Sequence, residues 1–141
     1  MLALNRRSIL TALAAIAAAL SGRASAAPLD EPRRGFVAAA FAMKQRAIDG
    51  GDQAYGAVIV RDNTIVGWGP SRVVTKKDST AHAEREAIRD AQARLARNDL
   101  SDCVMYSTSQ PCSECQRAAV EARLGRMYAG ADAADLGPPR R

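Results

Sequence analysis

The sequence predicts a single layered α/β domain with a mixed sheet. Three observations carry that expectation. Two apolar, β-branched runs, Gly56–Val60 and Thr64–Trp68, meet across the polar Arg61-Asp62-Asn63 stretch, which is the pattern of a hairpin. Two more strand-like runs then alternate with helical periodicity, so the last strand–helix–strand unit is a parallel crossover. The 141 residues are 48% hydrophobic and 25% charged, the balance of a folded domain too short to divide in two. Ten Gly and six Pro exclude collagen-like and low-complexity chains, and three Cys exclude a disulfide-dense scaffold.

Each element has a local reason. Asp30 is an N-cap and Pro32 suits the first helical turn. Phe36, Val37, Ala40, Phe41, Ala47 and Ile48 recur at helical spacing until Gly50-Gly51 stops the helix. The hairpin follows, then a loop from about Pro70 to Ser79 that holds the basic pair Lys76-Lys77. A second helix runs from about Ala81 to Arg97, with Ala83, Ala87, Ile88, Ala91 and Leu95 on one side. Cys103–Tyr106 is the third strand. Pro111 opens a third helix ending near Leu124-Gly125, and Met127–Ala129 is the fourth strand. The tail Ala131–Arg141 reads as irregular surface chain, so the sheet has mainly four strands. That leaves the last strand with an open edge, a template for association. With the small residues Ala118, Ala119 and Ala122 nearby, the expectation is a homodimer or larger assembly.

Residues 1–26 read as an address. They hold no acidic residue, three arginines (Arg6, Arg7 and Arg23), an apolar run from Ile9 to Leu20, and Ala24-Ser25-Ala26 at the end. Charged start, apolar middle and A-x-A end describe a secretory signal peptide. The apolar run of 12 residues is short of the ~20 that span a bilayer, so no stable membrane span is expected. The adjacent Arg6-Arg7 resembles a twin-arginine export signal, which implies an exported, periplasmic protein whose domain is residues 27–141. A lipid-facing anchor, or a general secretory signal that happens to hold two arginines, is the alternative. Removing the segment lowers the net charge from +5 to +2. The basic excess is then largely the leader's, which argues against a nucleic-acid partner.

The chemistry concentrates in two short motifs. The chain's only histidine lies in Thr80-Ala81-His82-Ala83-Glu84, and two of its cysteines lie in Pro111-Cys112-Ser113-Glu114-Cys115. Cys112 and Cys115 are three apart and face one way in a helical first turn, while His82 falls in the first turn of its own helix. Two positive helix ends then aim three ligands at one point. One imidazole and two thiolates suit Zn²⁺, and three protein ligands leave a position for water, the mark of a catalytic site. Zinc lowers the pKa of that water to about 7. Glu84 is placed to take the water proton and deliver it to substrate. Duller readings exist for each piece. The C-x-x-C pair alone fits a disulfide or redox pair, His82 alone a structural histidine, and Glu84 alone an exposed helix residue. Cys103, Trp68 and the methionines read as core, and Glu114 as helix surface. The force is in the combination H-x-E…P-C-x-x-C, which is the zinc deaminase signature.

On these residues the chain resembles the cytidine deaminase-like superfamily, closest to the branch with bacterial guanine deaminases and tRNA adenosine deaminases. Gly56–Val60, Thr80–Glu84 and Pro111–Cys115 match in order and spacing, and Asp102–Tyr106 looks nearest to guanine deaminases. The resemblance implies a three-layer α/β/α fold, zinc on His82, Cys112 and Cys115, and Glu84 as proton shuttle. It implies a reaction in which a carbonyl replaces an exocyclic amino group of a nucleobase or nucleoside, with guanine foremost. It also points to Ser71 and Ala57 for substrate contact, Ser71 standing where relatives usually have Asn. Other departures are Ala54 and Ser79 in place of prolines, Gln110 in place of Glu, and an end soon after the fourth strand, where relatives add pocket-walling elements. Two alternatives stay open: a tRNA adenosine deaminase-like enzyme, and a non-catalytic zinc module derived from the same fold.

Overall fold

The computed structural model describes residues 27–141, so the expected signal peptide lies outside the described residues. The elements are α1 (Glu31–Asp49), β1 (Gly56–Arg61), β2 (Thr64–Pro70), α2 (Ala83–Leu95), β3 (Val104–Ser107), α3 (Ser113–Glu121), β4 (Arg126–Ala129) and β5 (Ala134–Gly137). The sheet order is β2-β1-β3-β4-β5. Only β3 and β4 are parallel, as the strand–helix–strand unit demands; the other pairs are antiparallel. Asp30 caps α1, accepting a hydrogen bond from the Arg33 backbone at 3.0 Å. The hairpin turns at Asp62 and Asn63, both with positive φ, the conformation a two-residue turn between right-twisted strands requires.

The fifth strand corrects the four-stranded expectation. Met127, Tyr128 and Ala129 pair antiparallel with Gly137, Asp135 and Ala134, and Arg126 closes the ribbon through an ion pair to Asp135 at 2.7 Å. Ala134–Gly137 carries neither β-branched residues nor apolar alternation, so nothing in its composition announces a strand. The tail therefore covers the β4 edge. β4 is thus not the edge from which assembly was expected; the edge strand on that side is β5.

Helices flank the sheet on both faces. α1 lays Phe36 and Ala40 on Val58, Val60 and Tyr106. On the other face, α2 and α3 bring Ala83, Ala87, Ala91 and Ala119 against Ala57, Ile59, Met105 and Met127. Buried on both faces, β1 reads as a continuous apolar run rather than an alternation. Cys103 is wholly buried, as expected. Trp68 is only half-buried, with the Arg94 guanidinium 4.7 Å over its ring. The loop between β2 and α2 is pinned to α2 by Lys76, which pairs with the buried Glu86 at 2.8 Å. Among the described residues, no helix is long and apolar enough to cross a membrane.

Candidate metal centre and active site

The site forms where two helices begin. His82 is the N-cap of α2 and Cys112 the N-cap of α3, both in extended conformation, one position before the first turn where spacing had put them. Neither side chain caps its own helix, so the imidazole and the thiol turn toward each other. Cys115 follows in the first turn of α3. Its Sγ lies 3.5 Å from His82 Nδ1, and Cys112 Sγ lies 3.6 Å from the same nitrogen. All three donor atoms fall within 4.8 Å of one another.

This donor set fits zinc. Tetrahedral bonds of ordinary Zn–N and Zn–S length put nitrogen and sulfur about 3.6 Å apart, the separation found here. The chemistry agrees with the geometry. Burial, and then the negative charge of Glu84, push the Cys115 thiol well above its ordinary range. A divalent cation reverses that preference by taking the thiolate as its ligand. The cation would be held by His82, Cys112 and Cys115.

Glu84, the second residue of α2, is 5% exposed. Its Oε2 lies 3.5 Å from Cys115 Sγ, which places the carboxylate beside the metal donors. Its Oε1 lies 2.9 Å from Ser107 Oγ at the end of β3. The same hydroxyl lies 2.7 Å from the Ser109 carbonyl oxygen. Its single proton therefore goes to Glu84 when that carboxylate is ionised, and to Ser109 when Glu84 itself donates. Ser107 can follow a change of protonation at Glu84 without either group losing a partner. Sequence reasoning missed Ser107. The available signal was a polar residue ending an apolar strand two residues before Ser109.

A cleft of about 870 Å³ opens over these groups. Gln53, Ala54 and Tyr55, from the turn between α1 and β1, form one wall. Ser109 and Gln110 line another part, and His82, Ala83, Glu84 and Cys112 complete the lining. No lysine or arginine is among these residues. Neither position suggested for substrate contact lines this cleft. Ala57 is wholly buried in the core. Ser71 is buried, and its hydroxyl donates to Asp52 Oδ1 at 3.0 Å.

Residues 30–131 match the cytidine and deoxycytidylate deaminase zinc-binding region. The chain belongs to this deaminase family. Within the family it is 42% identical to Bacillus subtilis guanine deaminase over 86 residues, which are 59% of this chain and 55% of that protein. It is 37% identical to a tRNA-specific adenosine deaminase of Buchnera aphidicola over 90 residues, 64% of this chain and 60% of the relative. A third relative is the tRNA(Ile)-lysidine synthase of Deinococcus radiodurans, 38% identical over 72% of this chain but only 18% of its own length. The chain thus spans less than two thirds of each of these relatives. Among solved structures, Bacillus subtilis guanine deaminase superposes with a TM-score of 0.67 at 33% identity, covering 72% of this chain and 64% of that one. A tRNA:A34 deaminase superposes equally well, at 0.67 and 32% identity, covering 69% and 75%. Membership makes the three-donor cluster the metal site of a zinc-binding deaminase domain.

Proposed function

We propose that the protein is a zinc-dependent hydrolytic deaminase of an uncharged nucleobase or nucleoside, with guanine the first candidate. One observation carries the reading: a buried carboxylate, Glu84, lies beside the metal donors and opens onto the cleft. A purely structural zinc site has no use for it. When bound, zinc supplies the Lewis acidity that makes water a nucleophile near neutral pH. Glu84 takes the proton that water gives up and returns it to the departing amino group. A ring C–NH₂ and water thereby become a ring carbonyl and ammonia, with no redox change. Ser107 keeps Glu84 hydrogen-bonded in both protonation states, and burial of the carboxylate keeps its proton from bulk solvent. The absence of Lys and Arg from the cleft lining supports an unphosphorylated ligand, because phosphate recognition uses cationic donors. Identity to guanine deaminase supports guanine.

The equal structural likeness to a tRNA:A34 deaminase supports a second reading, adenosine deamination in tRNA. The small charge excess and the absence of Lys and Arg from the cleft lining favour the first. The leader motif, Arg6-Arg7 before an apolar run and Ala24-Ser25-Ala26, supports export of the folded domain to the periplasm, away from tRNA. The deciding experiment is a panel of guanine, adenine, cytosine and their nucleosides, with tRNA alongside, scored for ammonia release by the zinc-loaded protein. Guanine is expected to lead. Release from tRNA alone selects the second reading, and release from nothing selects a non-catalytic zinc module.

A further inference from the structure

Asp52 is the most heavily hydrogen-bonded carboxylate of the described residues, yet it touches neither the metal donors nor the cleft. Its Oδ1 accepts from the Gln53 backbone at 2.8 Å and from Ser71 Oγ at 3.0 Å. Its Oδ2 accepts from the backbones of Val74 at 3.1 Å and Thr75 at 2.8 Å, and from Thr75 Oγ1 at 2.9 Å. One side chain thus ties the turn after α1 to the loop that leads into His82. A second tie lies close by, where the Ser71 backbone donates to the Tyr55 carbonyl at 3.1 Å.

The cleft wall Gln53–Tyr55 lies between these two ties. All three of its residues are exposed, so packing does little to hold them. Ala54 lacks the φ restriction that a proline would impose at the centre of the wall. Beyond the wall, Gly56 is anchored by exchange with Thr108, whose backbone donates to the Gly56 carbonyl at 2.9 Å. On the other side, the Asp52 backbone donates to the Ala47 carbonyl at 2.8 Å, which joins the start of the wall to α1, and the Asp52 side chain joins that start to the loop before His82. Ser71 is committed to the same network, since its one hydroxyl proton goes to Asp52.

We propose that Asp52 is a positioning residue for the substrate cleft, setting the wall Gln53–Tyr55 against the loop before His82, and that Ser71 serves this clamp instead of contacting substrate. The inference rests on the deaminase reading of the cleft. It concerns residues that hold no metal and carry no proton in the reaction. Loosening the wall weakens substrate binding while leaving Glu84 and the metal donors in place, so KM rises and kcat does not fall with it.

The test compares wild type with Asp52→Ala, Asp52→Asn and Ser71→Ala, all zinc-loaded, by steady-state kinetics on the best substrate of the panel and by amide hydrogen exchange. For Asp52→Ala and Ser71→Ala the expected result is one zinc per chain and kcat within about threefold of wild type. KM should rise roughly 10- to 100-fold, the scale on which small misplacements act. Exchange should quicken at Val74 and Thr75 and also at Gln53–Gly56. Asp52→Asn should recover only part of the KM, because its oxygen still accepts from Val74 and Thr75 and its amide donates to Ser71 Oγ, whereas the bond from the Gln53 backbone is lost. A higher KM in Ser71→Ala with unchanged exchange makes Ser71 a substrate contact and overturns the proposal. So does faster exchange with unchanged KM. Should wild type turn over nothing, the deaminase reading fails by itself and exchange still decides the clamp: quickening confined to Val74 and Thr75 overturns it, and quickening that reaches Gln53–Gly56 sustains it.

Discussion

Gly69→Ala tests how the sheet places the active site. Gly69 lies in β2 directly beneath the start of α2. A Cβ built there would stand 2.0 Å from the Ala83 carbonyl oxygen, 2.5 Å from the Ala87 nitrogen and 2.8 Å from the Ala87 Cβ. The first two are backbone atoms and cannot rotate away. Ordinary contact begins near 3.4 Å. α2 must therefore lift by about 1.4 Å or β2 must sink by as much, a forced overpacking that costs about 3 kcal/mol, the upper end of the usual range. The displaced turn carries His82 and Glu84, so zinc affinity should fall as well, by roughly 10- to 100-fold. Gly35→Ala is the control. Gly35 lies inside α1 with nothing within 4 Å of the added carbon, and that substitution should stabilise by about 0.5–1 kcal/mol. Urea denaturation of the zinc-saturated proteins gives the stabilities, and competition with a chromophoric chelator gives zinc affinity. If Gly69→Ala unfolds within about 0.5 kcal/mol of wild type and keeps its zinc affinity, the close packing of α2 on β2 is not what positions the site.

Three further outcomes are expected. Cys112→Ser should lose its zinc and melt at lower temperature, because metal binding is coupled to folding; metal analysis showing one zinc per chain would contradict the ligand set. Changing Arg6 and Arg7 together to lysine should trap unprocessed precursor in the cytoplasm, whereas a processed, exported double mutant would favour the general secretory route. For Asp52, the cost of partial desolvation is outweighed by the bonds from Thr75, Gln53 and Val74, which hold its carboxyl far below the ordinary range. A depressed pKa contributes stability that is complete above the unfolded value of about 4 and is lost as pH falls toward the folded value. The stability gap between wild type and Asp52→Ala should therefore be flat from pH 7 to about pH 5 and close only in stronger acid, as acid titrations of the two proteins will show.

The parts of the fold legible in sequence are those dictated locally. Asp30 and Gly50 bound α1 where capping chemistry requires, and the hairpin turns at Asp62 and Asn63 because those residues tolerate positive φ. The donor cluster His82, Cys112 and Cys115, with Glu84 beside it, was legible because metal coordination demands particular residue types at fixed spacing. Residues placed by tertiary closure were not. β5 exists because Ala133 and Gly130 turn the chain back along β4, not because Ala134–Gly137 favours a strand. Ser107 meets Glu84 across 23 positions, and Asp52 meets Ser71 across 19, through side chains that carry no periodicity. Ser71 was reached through its spacing from His82, which carries no sign of the Asp52 carboxylate that its hydroxyl meets.

The central claim is that Glu84 carries protons for a reaction at the metal centre. Glu84→Gln keeps the side-chain volume and can still receive the Ser107 hydrogen bond, but its amide cannot shuttle a proton. The decisive measurement is ammonia release by Glu84→Gln and wild type at matched zinc content, on the best substrate of the panel. One zinc per chain in both proteins, with turnover lower by at least ~10²-fold in the variant, is the predicted result. Equal turnover in a fully zinc-loaded Glu84→Gln would contradict it and assign the proton transfer elsewhere.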